Sequence, residues 1–393
     1  MRRRFLITVT AAVSTVGLLS ACGGSALDQG SGGGGGKATA ATIGLLVPKS
    51  GVYAPLGTDL ENGFKLYLKE HGNKLGGKDI TVKVVDEGGG PDTGVPAGQA
   101  LANDASVSAV VGVVNSAVAL GLRDAFEEAK KPLVIANAGA DDITGKAASD
   151  YVWRTSFANS EVSGAIGKTV AEQTKGGSVF LVGPDYAAGK EFLGGFQKTF
   201  TAAGGKVAGE QMTPFGKTTN FQPYLAAIEK SGAKAAFTFY AGAEAVAFVK
   251  QFNELGLSKK VQLYASGFLT EGSVLKAQGD AAKGIKTSLH YSSELDNPTN
   301  KAFVAAYEKE YGSSPTVYSV ASYDAAQALD KALAKGVKGD EIVAGLKSID
   351  SIDSPRGAFS FTPTHGPKQT YYLRTVGEKN GQLVNLVDGP LTP

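Results

Sequence analysis

The sequence predicts an α/β protein of two doubly wound, Rossmann-like lobes. Three observations carry that prediction. Short apolar runs bounded by Gly and Pro alternate with four-residue helical spacings, the pattern of a largely parallel sheet covered by helices on both sides. The rhythm runs once to Ala136 and restarts after Trp153. Beyond an N-terminal leader and a glycine-rich stretch, about 350 residues remain, enough for two lobes of ordinary size.

The elements follow in order. Residues 43–47 read as a buried strand closed by Pro48 and Gly51, and Leu56, Leu60, Phe64 and Leu68 then mark one helix face. A strand at 80–85 leads into the turn-rich DEGGGPDTG, a short helix at 96–103, a strand at 109–112, a helix at 120–130 and a strand at 132–136. After Trp153, helices at 162–174, 189–203, 221–231 and 243–255 alternate with strands at 178–182, 206–212, 235–240 and 261–265. Long helices follow at 300–311 and 318–335. Strands at 357–361 and 369–376 close the fold, and the residues from Val387 read as loose chain.

The stretch LLSACGG holds the only cysteine of 393 residues, Cys22. Met1-Arg2-Arg3-Arg4 is cationic, and 5–19 is mostly apolar with no acid or base. That run is short for a permanent span and fits the apolar region of an export signal. Leu19-Ser20-Ala21-Cys22 resembles the bacterial lipobox, whose cysteine becomes the lipidated N-terminus after cleavage. The expectation is a signal peptide over 1–21, lipidation at Cys22, and a flexible tether over 22–41 that includes five consecutive glycines, 32–36. Two or more acyl chains give stable anchoring, so the mature protein is expected outside the cytoplasm, held to a membrane. A single thiol implies no disulfide framework.

Composition excludes further classes. A formal net charge of +2 leaves no large basic footprint for nucleic acid. No Gly-x-Gly-x-x-Gly follows a predicted strand, and no Gly-x-Ser-x-Gly elbow is present. GPDYAAGK and GADDITGK miss the P-loop spacing by one residue and lack the following Ser or Thr. His71, His290 and His365 lie too far apart in sequence for metal-like spacing. The reading is therefore a protein that is not an enzyme and needs no cofactor or metal.

What remains is the chemistry at the carboxyl ends of the strands, where open α/β sheets bind ligands. Those ends carry Ser50-Gly51-Val52-Tyr53, Asn115-Ser116, Asn137-Ala138-Gly139, Asp185-Tyr186, Tyr240 and Ser266-Gly267-Phe268. Hydroxyls, amides and free N–H groups suit a carboxylate, and aromatic rings suit an apolar body.

From Ile43 to about Val376 the chain resembles the solute-binding proteins of branched-chain (hydrophobic) amino acid ABC importers, the leucine-binding family with the type I periplasmic binding fold. LLVPKSGVYAPLGTDLENGFKLYL resembles that family's first strand, Ser-Gly turn and helix. DEGGGPDTGVPAGQALAND, GPDYAAGKEFLGGFQ and YGSSPTVYSVASYDAAQAL resemble its later turns and helices, in order. The resemblance implies two lobes joined by three crossovers, near Phe157, His290 and Pro363. Lobe 1 would comprise 42–157 and 291–363, and lobe 2 would comprise 158–290 and 364–393.

It also implies site residues. Ser116 matches the serine that holds the ligand carboxylate in amino acid binders, and Asn137 or Ala138 matches a backbone carbonyl position. Tyr186 matches an aromatic that closes from the second lobe. Two positions depart: Gly139 stands where those binders have a threonine, and Gly267 where they have a glutamate for the ligand ammonium. A buried ammonium without an anion costs kilocalories. Glu244 or Glu271 could take that role from nearby. The Asn-Ala-Gly stretch, DYAAGK and LDNPTNKAFVAAYEKEYG look closer to family members that bind aromatic carboxylates, for which Phe268, Tyr53 and Tyr240 would supply ring surface.

The expectation is a monomeric binding protein that captures a small carboxylate with a hydrophobic or aromatic body by hinge closure. It would hand that ligand to ABC permease and ATPase subunits. A branched-chain or other hydrophobic amino acid is the alternative ligand. A surface-anchored α/β enzyme or a sensor domain are the alternatives of another class.

Overall fold

The structure, a computed structural model, describes residues 38–51 and 53–392. The expected signal peptide, Cys22 and nearly all of the tether lie outside the described residues. The fold opens with strand β1 (Ala40–Val47), two residues before the expected start at 42, then helix α1 (Ala54–Glu70) and strands β2 (Lys74–Leu75) and β3 (Lys78–Asp86). Next come α2 (Pro91–Asn103), β4 (Val107–Gly112), α3 (Ser116–Glu128), β5 (Leu133–Ile135) and β6 (Val152–Arg154). The second series is α4 (Asn159–Gln173), β7 (Ser178–Pro184), α5 (Ala187–Ala202), β8 (Lys206–Thr213), α6 (Gln222–Ser231) and β9 (Ala235–Thr238). It continues with α7 (Gly242–Glu254), β10 (Gln262–Ser266), α8 (Ser273–Gln278) and β11 (Lys286–Leu289). Helices α9 (Pro298–Tyr311), α10 (Val317–Leu333) and α11 (Gly339–Lys347) follow. Strands β12 (Ser360–Phe361), β13 (Pro367–Lys368), β14 (Tyr372–Lys379) and β15 (Gln382–Pro390) end the described chain.

Two large sheets result. The first has the order β2-β3-β1-β4-β5-β6 and the second β15-β14-β11-β10-β9-β7-β8. Their centres are parallel, as short doubly covered strands require. Their edges are mixed: β2 runs antiparallel to β3, β14 to β11, and β15 to β14. In the first sheet α1 and α10 cover one face, with Leu60, Phe64, Val320 and Leu329 packed on Ile43 and Leu45. On its other face Leu101 of α2 and Val118 and Leu122 of α3 pack on Leu46 and Val110. In the second sheet α4 and α5 share the first core with α1 and α10, and α6, α7 and α8 build a separate core on the far face.

The chain passes between the sheets after β6, after β11, and again before β14, which makes the three crossovers of the two-lobed fold. Arg356 pins two of these passages. It is fully buried, donates to the carbonyls of Thr155 (2.7 Å) and Ser156 (3.3 Å), and pairs with buried Asp324 of α10 at 3.1 Å.

Several expectations need correction. The residues from Val387 are not loose: they belong to β15, paired along its length with β14. The strand expected at 357–361 is only the two residues of β12, paired with β13. Helix α2 starts at Pro91, not at 96, because Pro91 fits the first turn and Pro96 falls in the second, where one backbone donor is lost. Strands β2, β6, β11 and β13 and helices α8 and α11 were not expected at all.

Candidate functional site

A cleft of about 330 Å³ lies where the carboxyl ends of both sheets face each other. Fifteen residues line it, and none is Asp, Glu, Lys, Arg or His. Six were expected from the sequence: Tyr53, Ser116, Asn137, Gly139, Tyr186 and Phe268.

The polar end is built on the first sheet. After β4 the chain turns through Gly112 and Val113, the latter at φ +65°. A β-branched residue there is a backbone outlier that costs on the order of 1–2 kcal/mol, and the turn delivers Val114 and Ser116 to the cleft. The Asn115 side chain caps α3 by accepting from the amides of Ala117 (2.9 Å) and Val118 (3.3 Å). Buried Glu87 accepts from the amides of Val114 and Asn115, both at 2.7 Å. Burial pushes its carboxyl up to about 7, against the pull of those two amides. The Ser116 hydroxyl accepts from the Ala140 amide at 3.1 Å, which leaves its own proton to give. Among the described residues the amides of Ser116 and Gly139 donate to no protein acceptor. Serine hydroxyl, free amides and the N-terminus of α3 together present an edge of hydrogen-bond donors, the chemistry that suits an anion, with no cation in it.

The apolar walls are aromatic. Phe157 lies 4.7 Å from Phe268 between ring centroids, Phe192 stacks on Phe239 at 3.9 Å, and Phe268 stacks on Tyr318 at 6.1 Å. Across the cleft the hydroxyls of Tyr53 and Tyr186 meet at 2.9 Å, and Tyr186 stacks on Phe215 at 4.0 Å. Burial raises both phenols above their ordinary range, so the contact is between neutral hydroxyls.

Three expected residues lie elsewhere. Tyr240 points away from the cleft, donating to or accepting from Thr213 at 3.1 Å and packing on Phe221 and Phe248. Its neighbour Phe239 takes the wall, because successive residues of an extended segment face opposite sides. Ala138 is fully buried behind the cleft, its amide bonded to Val113 and its carbonyl to the Ser156 hydroxyl. Gly267 is also outside the lining. A Cβ there would sit 2.4 Å from Arg374 Nη2 and 2.6 Å from Leu289 Cβ.

The space beside Gly267 thus holds a guanidinium. Arg374 donates to the Gly267 carbonyl (3.1 Å), the Tyr291 carbonyl (2.7 Å) and Glu271 Oε2 (3.0 Å). Glu271 Oε1 accepts from the Val317 amide at 2.9 Å, so both its oxygens are engaged. Glu244 is outside the lining too, accepting from the Thr218 amide at 3.3 Å. Neither acid faces the cleft.

Sequence reasoning missed Phe157 as a wall, along with Asn159, Phe192, Phe239 and Tyr318. Asn159 donates to Glu191 Oε2 at 2.7 Å, and its own Oδ1 stands where a Gly139 side chain would go. The glycine at 139 is the readable signal for it, since only a residue without Cβ allows that approach.

Among the described residues no group of acids, histidines and cysteine could hold a metal, and no helix is long and apolar enough to cross a membrane. Comparison with known proteins fits this geometry. The Leu/Ile/Val-binding protein homolog 6 of Brucella melitensis is 33% identical over 347 residues, covering 86% of this chain and 87% of its own. A solute-binding protein of an ABC transporter from R. palustris, solved with benzoate, is 36% identical with a TM-score of 0.83, covering 90% of this chain and 97% of that one. Another, from Rhodopseudomonas palustris BisB5 and solved with 3,4-dihydroxybenzoic acid, is 33% identical with a TM-score of 0.84 over 90% and 97% of the two chains. The sequence profile of the periplasmic binding proteins matches residues 40–382, and on that match and these likenesses the chain belongs to the periplasmic binding protein family.

Proposed function

We propose that this protein is the extracytoplasmic solute-binding lipoprotein of an ABC importer and that it captures a small aromatic carboxylate. One observation carries the choice of ligand: the cleft pairs aromatic walls with a carboxylate-binding edge and offers no acid to an ammonium. The solved relatives bound to benzoate and dihydroxybenzoate support the same class. Ser116, Gly139 and the start of α3 would take the carboxylate. Tyr53, Phe157, Phe192, Phe239 and Phe268 would enclose the ring.

The ligand would touch both lobes, so its binding energy favours the closed arrangement that the permease subunits read. Cys22 would carry the acyl anchor and the glycine-rich segment would supply reach. A hydrophobic amino acid is the second reading, favoured by the curated relatives named for Leu, Ile and Val. It would require an anion that Gly267, with Arg374 beside it, does not supply.

A thermal-shift screen of the domain from Ala38 separates the two. At a hundred times the dissociation constant, a ligand stabilises by about 2.7 kcal/mol. Shifts with benzoate and hydroxybenzoates, and none with leucine, isoleucine, valine or phenylalanine, are expected. Shifts with the amino acids alone would overturn the reading.

A further inference from the structure

Two polar side chains of the cleft, Asn137 and Tyr318, make no hydrogen bond with a described residue; Asn137 stands two residues from Gly139 at the carboxylate edge, which leaves Tyr318 without a task in the carboxylate reading. Tyr318 lies in the first turn of α10, is 3% exposed, and lines the cleft. Its hydroxyl makes no hydrogen bond with any described residue, whereas the other two lining tyrosines, Tyr53 and Tyr186, satisfy each other. The hydroxyl is also not sealed in the packing, unlike that of Tyr291, which is buried without a partner. A nearly buried phenol that faces a cavity unpaired would cost free energy on ligand closure unless the ligand supplies a partner.

The placement is informative as well. Helices α3 and α10 cover opposite faces of the first sheet. Ser116, at the start of α3, and Tyr318, at the start of α10, therefore reach the cleft from opposite sides of the sheet's carboxyl edge. A ligand whose carboxylate met Ser116 would lie with its ring between the two, against Phe157 and Phe268, and would present ring positions to Tyr318. The ring of Tyr318 extends that wall, since it stacks on Phe268.

We infer that Tyr318 reads a second polar substituent on the aromatic ring, so that the preferred ligands are hydroxylated benzoates and not benzoate itself. This rests on the aromatic-carboxylate reading above. Loss of a hydrogen bond to a buried polar group is worth about tenfold in affinity, or about 1.4 kcal/mol.

The test is calorimetric titration of the wild-type protein and Tyr318→Phe with benzoate, the three monohydroxybenzoates and 4-methoxybenzoate. At least one hydroxybenzoate is expected to bind wild type about tenfold more tightly than benzoate. Tyr318→Phe is expected to bring that ratio close to one. A purely structural role for Tyr318 would lower all affinities together and leave the ratio intact, which would overturn the inference. The wild-type series serves even where the variant does not fold: benzoate binding as tightly as every hydroxybenzoate overturns the inference and leaves the aromatic-carboxylate reading standing. Binding of no aromatic acid at all removes both.

Discussion

Replacing Gly139 by threonine tests the site at its tightest point. A Cβ at this position would lie 2.1 Å from Asn159 Oδ1 and 2.3 Å from Phe157 Cε2. Ordinary contacts need about 3.5 Å, so each neighbour would have to retreat by more than about 1 Å. Neither has room. The Asn159 amide donates to the Gly139 carbonyl at 2.7 Å while its side chain holds Glu191 at 2.7 Å. Phe157 is wedged between Phe268 and His290, with ring centroids at 4.7 and 5.6 Å. Overpacking of this kind costs about 1–3 kcal/mol of stability.

The damage to binding should be larger in proportion, because Phe157 and Asn159 both line the cleft and a displaced ring enters the ligand's space. Gly139→Thr is therefore expected to melt lower than wild type. Its affinity for benzoate or hydroxybenzoate should fall at least tenfold by calorimetric titration. A variant that melts with wild type and binds within threefold would refute the argument, since it would mean that Asn159 and Phe157 yield freely. The amino acid binders that this chain resembles carry threonine here, so the same experiment asks whether Phe157 and Asn159 have redefined that corner.

Ser116→Ala removes the hydroxyl expected to donate to the ligand carboxylate. A hydrogen bond to a charged group is worth about 1.5–3 kcal/mol, so aromatic-acid affinity should fall by about one to two orders of magnitude in titration calorimetry, and the empty protein should melt lower by the equivalent of about 1–3 kcal/mol, because the buried Ala140 amide loses its acceptor. Glu87 predicts a pH dependence of stability. Burial holds its folded carboxyl near 7, well above an unfolded glutamate at about 4.3, so the folded protein keeps a proton that the unfolded chain has released. Its contribution is fully present below the unfolded value and is lost as pH rises through 7. Between pH 8 and pH 5.5 wild type should gain on the order of 2 kcal/mol from this group at 1.36 kcal/mol per unit, and Glu87→Gln should lack that increment in denaturant melts. Arg356→Met would leave Asp324 buried and unpaired. Breaking such a pair from one side costs about 3–5 kcal/mol, which a urea titration would register as a marked fall in the unfolding midpoint.

The alternation of strands and helices was legible because doubly covered strands must be short and apolar, and helices over a sheet must carry one apolar stripe. What failed to show in the sequence failed for local reasons. Strand β11, Lys286–Leu289, reads KTSL and is buried through Thr287 and Ser288, so its burial is tertiary and not written in hydrophobicity. Strand β15 is half exposed at the sheet edge and carries Asn385, Asp388 and Gly389, which look like loop chemistry. In the site, the strand-end positions of Ser116, Asn137 and Tyr186 were readable because topology fixes where strands end. The choice between Phe239 and Tyr240 was not, because the chain leaves β9 at Thr238 and two adjacent aromatics carry no mark of which face is which. Phe192 and Tyr318 lie on helices whose approach to the cleft depends on how two lobes meet, and no single segment records that.

The interleaving of the two lobes along the chain has a consequence in time. Helix α1 finds its partner α10 only after residue 333 has been made, and the second sheet waits for β14 and β15 near the end of the described chain. The lobes cannot be finished one after the other as synthesis proceeds; both complete nearly together, late, through contacts of high sequence separation. Such a chain stays open longest while it emerges, a condition that suits passage across a membrane before folding. It also makes the last strands indispensable: trimming from Tyr372 would remove no tail but one whole side of the second lobe's sheet.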